Sequence, residues 1–84
     1  MNTDVVSVVR NYLETELRVR DAERLDAETP LLRMGVIDSL DIVKLAGFIE
    51  QTFRVRVNET ELTPGNFRTL SAIARYVATK TNVH

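Results

Sequence analysis

The chain has no cysteine and no tryptophan in its 84 residues. Without thiols it can form no disulfide and offers no thiolate to a metal. Its single histidine, His84, is the last residue, where chains fray. A serine nucleophile therefore has no internal imidazole to activate it. Lys44 is the remaining candidate base for Ser39, but it lies five positions on. Helical neighbours are three or four apart, so the two do not face each other. The residues thus argue against hydrolase chemistry, and no catalytic residue or metal site is assigned. Proline and glycine are scarce, with two and three copies, which leaves most of the chain free for regular structure. No apolar run approaches the ~20 residues of a membrane-spanning helix. The start Met1-Asn2-Thr3-Asp4 lacks the basic and apolar blocks of a signal peptide. No membrane partner is expected, and the cytoplasm is the expected address. An excess of one charge is missing too. Net charge is −1, which argues against a nucleic-acid partner.

What is present suits one small domain over residues 1–84, with a limited core. Apolar residues make up 44%, ordinary for a soluble globular chain. Charge is uneven along the sequence. Residues 1–42 hold five basic and nine acidic groups, and residues 43–84 hold six and three. The basic groups of the second half (Arg54, Arg56, Arg68, Arg75, Lys80) are dispersed, as on solvated faces.

The central stretch is Gly35-Val36-Ile37-Asp38-Ser39-Leu40. Asp38 is a strong N-cap residue, because its carboxylate can accept from free N–H groups of a first helical turn. Its charge suits the positive end of the helix dipole. Ser39 would follow at the first helical position with its hydroxyl in solvent. Gly35 lets the incoming chain turn sharply. Taken alone, Asp-Ser also reads as a doubled capping signal.

Around this stretch the spacing predicts helices over about 4–18, 39–53, 58–62 and 69–79. Thr3 is the expected cap of the first. Its apolar face is Val6, Val9, Leu13 and Leu17, with Val5 and Tyr12 beside them. Residues 19–37 show no sustained period, an unusual length for a connection. Leu25, Leu31, Leu32, Met34 and Ile37 are its expected anchors, with room for a short helical turn near Asp21 to Leu25. In the second helix Val43, Ala46, Ile49 and Phe53 form the expected core stripe, widened by Ile42 and Leu45. Leu40 suits either the core or an exposed rim. Gly47 in mid-helix costs about 1 kcal/mol relative to alanine. It fits a close helix approach, space for a bound chain, or simple tolerance. Arg54 to Val57 alternates like an extended exit with valines inward. Asn58 and Glu61 fit a capping box. Thr63-Pro64-Gly65-Asn66 reads as a turn. Thr69 caps the last helix, whose face is Leu70, Ile73, Ala74 and Val77.

The span from Thr29-Pro30-Leu31 through Asp38-Ser39-Leu40 to Phe53 resembles the acyl and peptidyl carrier protein family. The likeness resumes at Asn66-Phe67-Arg68-Thr69-Leu70 and Ile73-Ala74-Arg75-Tyr76-Val77, and covers more than half of the chain. Members are small four-helix domains with phosphopantetheine on the serine of an Asp-Ser-Leu motif. The resemblance implies an all-α four-helix bundle of the stand-alone type, with a long first loop and a short third helix. It implies a monomer and no catalysis by the chain itself. It assigns Ser39 as the attachment residue for phosphopantetheine from coenzyme A, with Asp38 beside it. Asp38, Leu40, Asp41 and Glu50 become the expected partner surface, with Glu59 and Glu61 behind them. The implied partners are a phosphopantetheinyl transferase, an adenylating enzyme or acyltransferase that loads acyl or aminoacyl groups as thioesters, and downstream synthase or tailoring enzymes.

One departure is informative. Fatty-acid carriers are generally strongly acidic along the second helix, whereas this chain is near neutral and has Lys44 there. A specialised polyketide or nonribosomal peptide pathway is therefore expected, with fatty-acid synthesis as the alternative. Two rivals from other classes are a small helical adaptor that never carries an arm and a nucleic-acid binder built on the basic second half. Modification of Ser39 separates the first from the carrier, and salt-sensitive association with DNA or RNA would mark the second.

Overall fold

A computed structural model describes residues 4–81. Helix α1 spans Val5–Thr15, and its cap is Asp4, whose Oδ1 accepts from the Ser7 N–H at 3.4 Å. Thr3, the cap expected from the sequence, lies outside the described residues, as does His84. α1 stops three residues short of the predicted Arg18. Arg18 takes a left-handed conformation (φ 57°), and the Val19 N–H reaches back to the Leu13 carbonyl at 2.8 Å. That turn lets Leu17 stay half-buried while the chain changes direction.

The long connection is held at several points. A 3₁₀ turn at Ala22–Arg24 buries Ala22, close to the predicted turn. The Arg10 Nε donates to the Leu25 carbonyl at 3.0 Å. The Leu31 N–H donates to the Arg68 carbonyl at 2.8 Å, and the Ser71 N–H to the Ala27 carbonyl at 2.9 Å. Backbone groups that water would otherwise satisfy are thus bound within the protein. Leu31 and Ile37 are buried, and Leu25 and Leu32 are half-buried. Met34 is not an anchor as expected, being 67% exposed. It falls within the tight turn between Pro30 and Gly35, where the Met34 N–H donates to the Pro30 carbonyl.

α2 spans Ser39–Phe53, as predicted. Its buried stripe is Ile42, Leu45, Ala46 and Ile49. The expected stripe ran through Val43, and Val43 is instead 57% exposed. Both sets have helical spacing, so periodicity alone does not choose between them. Packing chooses: Tyr12 stacks on Phe48 with centroids 4.1 Å apart, and its hydroxyl donates to the Lys44 carbonyl at 3.2 Å. That contact on one flank goes with a buried face that leaves Val43 outside. Gly47 is exposed, and a Cβ built on it meets nothing within 4 Å. It therefore marks neither a close helix approach nor a core space for a bound chain.

Arg54 closes α2 in a left-handed cap, and Val55 and Val57 point inward in the extended exit. A 3₁₀ turn follows at Glu59–Glu61, and the Asn58 N–H donates to Glu61 Oε1 at 3.1 Å. The short third helix, however, is α3 at Pro64–Phe67, where the sequence predicts only a turn. Proline at its first position is pre-set for helix. The Asn66 side chain donates to the Glu61 carbonyl at 2.9 Å, and Phe67 is fully buried, which holds the turn closed. α4 spans Leu70–Thr81. Thr69 caps it by accepting from the Ala72 N–H at 2.9 Å. α4 lies against α1, α3 and α2, and one core joins Val9, Leu13, Leu45, Ile49, Phe67 and Ile73. No strand occurs among the described residues. The fold is an all-α bundle of four helices with a long first loop.

Candidate functional site

Ser39 stands at the first position of α2 and is exposed. The residues before it set that corner. Gly35 takes φ +74°, a conformation that disfavours side chains. Val36 N–H then bonds back to the Leu31 carbonyl at 2.8 Å, and Ile37 is buried. The chain is therefore anchored one residue before Asp38.

Asp38 and Asp41 form a reciprocal capping box. The Asp41 N–H donates to Asp38 Oδ1 at 2.9 Å, and the Asp38 N–H to Asp41 Oδ2 at 3.0 Å. Each carboxylate thus has one oxygen committed to the backbone that frames Ser39. The helix N-terminus favours a bound negative group at this corner. Of the three serines, Ser7 and Ser71 donate their hydroxyls to Asp4 and Glu28 respectively. Ser39 alone opens a long helix. Its hydroxyl sits where a phosphodiester could be joined without displacing any core side chain.

The remaining expected partner residues separate into two groups. Leu40 lies on the exposed rim, at 71% exposure. Glu50 is half-buried and turned to another task, since its Oε2 accepts from the Val57 N–H at 2.8 Å and ties the exit segment to α2. Glu59 is exposed. Glu61 belongs to a cluster that the sequence does not reveal beyond its capping box. Its Oε1 accepts from Lys80 Nζ at 2.9 Å, from the Tyr76 hydroxyl at 2.8 Å and from the Asn58 N–H. The Lys80 hydrogen bond, followed by the one from Tyr76, holds the Glu61 carboxyl down to about 2. Burial, then the neighbouring Glu61, pushes the Tyr76 hydroxyl above its ordinary range. These groups join the 3₁₀ turn to α4. The signal available in the sequence was the Asn58–Glu61 spacing; the fifteen and nineteen positions to Tyr76 and Lys80 carry no periodic mark. Met34 and Val43 were also missed as surface residues near Ser39, because each has a plausible place on a buried face.

Ser39 is thus an exposed hydroxyl at the capped start of a helix in a small helical bundle. The chain belongs to the phosphopantetheine attachment site family, whose model matches residues 7–77. Proteins of this family hold phosphopantetheine covalently and are carriers that do not themselves catalyse. They are served by phosphopantetheinyl transferases and work with biosynthetic enzymes. The chain is also similar to the probable acyl carrier protein PigG of Serratia sp. (strain ATCC 39006), with 30% identity over 67 residues. The likeness covers 80% of this chain and 77% of that protein. Among the described residues, no helix is long and apolar enough to cross a membrane.

Proposed function

We propose that phosphopantetheine is joined to Ser39 and that the protein holds acyl or aminoacyl groups on it as thioesters in a specialised biosynthetic pathway. The observation that carries this reading is the exposed Ser39 at the boxed start of α2 in a chain of the attachment-site family. In the attachment step the Ser39 oxygen forms a phosphodiester with the pantetheine phosphate of coenzyme A. The hydroxyl proton passes to the transferase and adenosine 3′,5′-bisphosphate leaves. The arm supplies a thiol, which a cysteine-free chain otherwise lacks. Asp38 and Asp41 keep the helix start in place, and Leu40 stands beside it for a partner to touch.

The specialised role is supported by charge. Net charge is −1, and Lys44 lies exposed on α2. Dedicated adenylating enzymes or acyltransferases are the proposed loaders, with synthase or tailoring enzymes downstream.

The test is intact mass after incubation with a broad-specificity phosphopantetheinyl transferase, coenzyme A and magnesium. The chain gains one phosphopantetheine group and Ser39→Ala gains none. A folded chain that gains no mass would leave a helical adaptor as the better description. Loading assays with adenylating enzymes test the pathway, and efficient, exclusive use by fatty-acid synthase enzymes would overturn it.

A further inference from the structure

α1 is firmly held. Val9 and Leu13 are fully buried, the helix packs on α4, and the Arg10 Nε is bonded to the Leu25 carbonyl. Tyr12 carries that hold across to α2. Its ring stacks on Phe48 with centroids 4.1 Å apart and an interplanar angle of 22°, and its hydroxyl donates to the Lys44 carbonyl at 3.2 Å. Lys44 and Phe48 are neighbours on successive turns, since a helical carbonyl serves the N–H four positions on. Tyr12 therefore grips one turn of α2 at two points. Burial, then the charges of Glu16 and Asp41, pushes its hydroxyl above the ordinary range, so it remains a donor at neutral pH. Asp41 is also one half of the capping box beside Ser39. The buried stripe of α2, by contrast, is wholly aliphatic: Ile42, Leu45, Ala46 and Ile49. Apolar burial has no direction, whereas a stacked pair and a hydrogen bond do.

We infer that Tyr12 is a positioning residue for arm attachment: its ring on Phe48 and its hydroxyl on the Lys44 carbonyl fix the rotation of α2, and with it the direction in which Ser39 presents its oxygen. The inference rests on Ser39 as the attachment residue. Tyr12 touches neither Ser39 nor the arm and acts only through the helix. The lever is short. A helix turned about its axis by about 25° carries its Cα atoms ~1 Å around a cylinder of radius ~2.3 Å. A misplacement of about 1 Å is enough to slow a positioned reaction by roughly a hundredfold.

The measurement is kcat/KM for arm attachment by a broad-specificity phosphopantetheinyl transferase with coenzyme A and magnesium, read by intact mass well below every variant's melting temperature. The substrates are the intact chain, Tyr12→Leu, Tyr12→Phe, Phe48→Leu and the double variant Tyr12→Leu/Phe48→Leu. Ile73→Val, altered in the buried face of α4, serves as a destabilised control. Tyr12→Leu should lose about tenfold, the loss when the right rotation is occupied about a tenth of the time. Phe48→Leu should lose as much, and the double variant no more than either, because the two rings act as one unit. Tyr12→Phe keeps the stack and should lie between Tyr12→Leu and the parent. Ile73→Val should keep the parent's rate. Backbone amide shifts of Ser39 and Asp41 should move in Tyr12→Leu and stay in place in Ile73→Val. Parent-like rates for Tyr12→Leu and Phe48→Leu would overturn the positioning role while leaving Ser39 as the attachment residue. An equal loss in Ile73→Val would overturn it too, by showing that stability alone sets the rate. Should Tyr12→Leu fail to fold, Tyr12→Phe and Phe48→Leu decide the matter by the same criteria. An intact chain that gains no mass, like Ser39→Ala, would remove the attachment reading and the role of Tyr12 with it.

Discussion

Gly47→Ala should make this protein more stable, and the size of the effect follows from local geometry. Gly47 lies in the middle of α2, between the buried Ala46 and the half-buried Phe48. Its φ is not positive, so alanine takes the same backbone without strain. The added Cβ meets nothing within 4 Å, so no neighbour has to move and no cavity is filled. What remains is the difference in helix propensity, about 1 kcal/mol in favour of alanine. Much of that comes from the larger number of conformations glycine loses on folding. For a domain of this length the melting temperature should rise by roughly 4–8 °C. Thermal melts followed by far-UV circular dichroism measure it, and urea titration provides a second reading through a higher midpoint at unchanged slope. An unchanged or lowered melting temperature would refute the reasoning, since it would mean that α2 is not continuous helix at this point. Arm attachment adds an independent reading. Gly47 lies on the exposed side of α2, and the more stable variant should be modified as fast as the parent if no partner closes onto that stretch of backbone.

Three further predictions can be checked with the same equipment. Asp38→Ala removes one half of the capping box and should cost about 1 kcal/mol, measured by urea unfolding. Ser39→Ala, at an exposed position, should stay within about 0.5 kcal/mol of the parent and yet take no arm, which separates the capping role from the attachment role. Glu61 is held at about 2 against an ordinary 4.5, so its contribution to stability is fully present above the ordinary value and is lost as pH falls towards 2. Glu61→Gln should therefore lower the melting temperature at neutral pH, and the gap to the parent should close between those two values; a gap independent of pH would show that the charge of Glu61 is not what stabilises the turn.

Much of the site was legible from residue types alone. Gly35 and Asp38 are local signals: a sharp turn and a helix cap depend on neighbours within a few positions, whereas the return bond from the Asp38 N–H to Asp41 was not foreseen. The boundaries of α2 followed from the same kind of signal at its start. The absence of cysteine and of an internal histidine is likewise a matter of composition, and it removes whole chemistries however the chain folds. The end of α1, the position of α3 and the fate of Met34 were not legible, because each depends on groups distant in sequence. α3 forms where Pro64 could equally begin a turn, and the burial of Phe67 decides the matter.

By itself, then, the sequence determined an all-helical chain with a serine at a capped helix start, since capping and helical period act over a single turn or two; the carrier reading came from the resemblance of its motifs to a known family. The tertiary structure decided which side of α2 faces outward. Stripes through Ile42 and through Val43 are both periodic, and the contact of Tyr12 with Phe48 and the Lys44 carbonyl accompanies the first. It also decided that Glu50 and Glu61 serve the fold, by bringing Val57, Tyr76 and Lys80 within hydrogen-bond distance of them. Periodicity specifies that a helix has an apolar side, but only the neighbouring helices specify where that side ends.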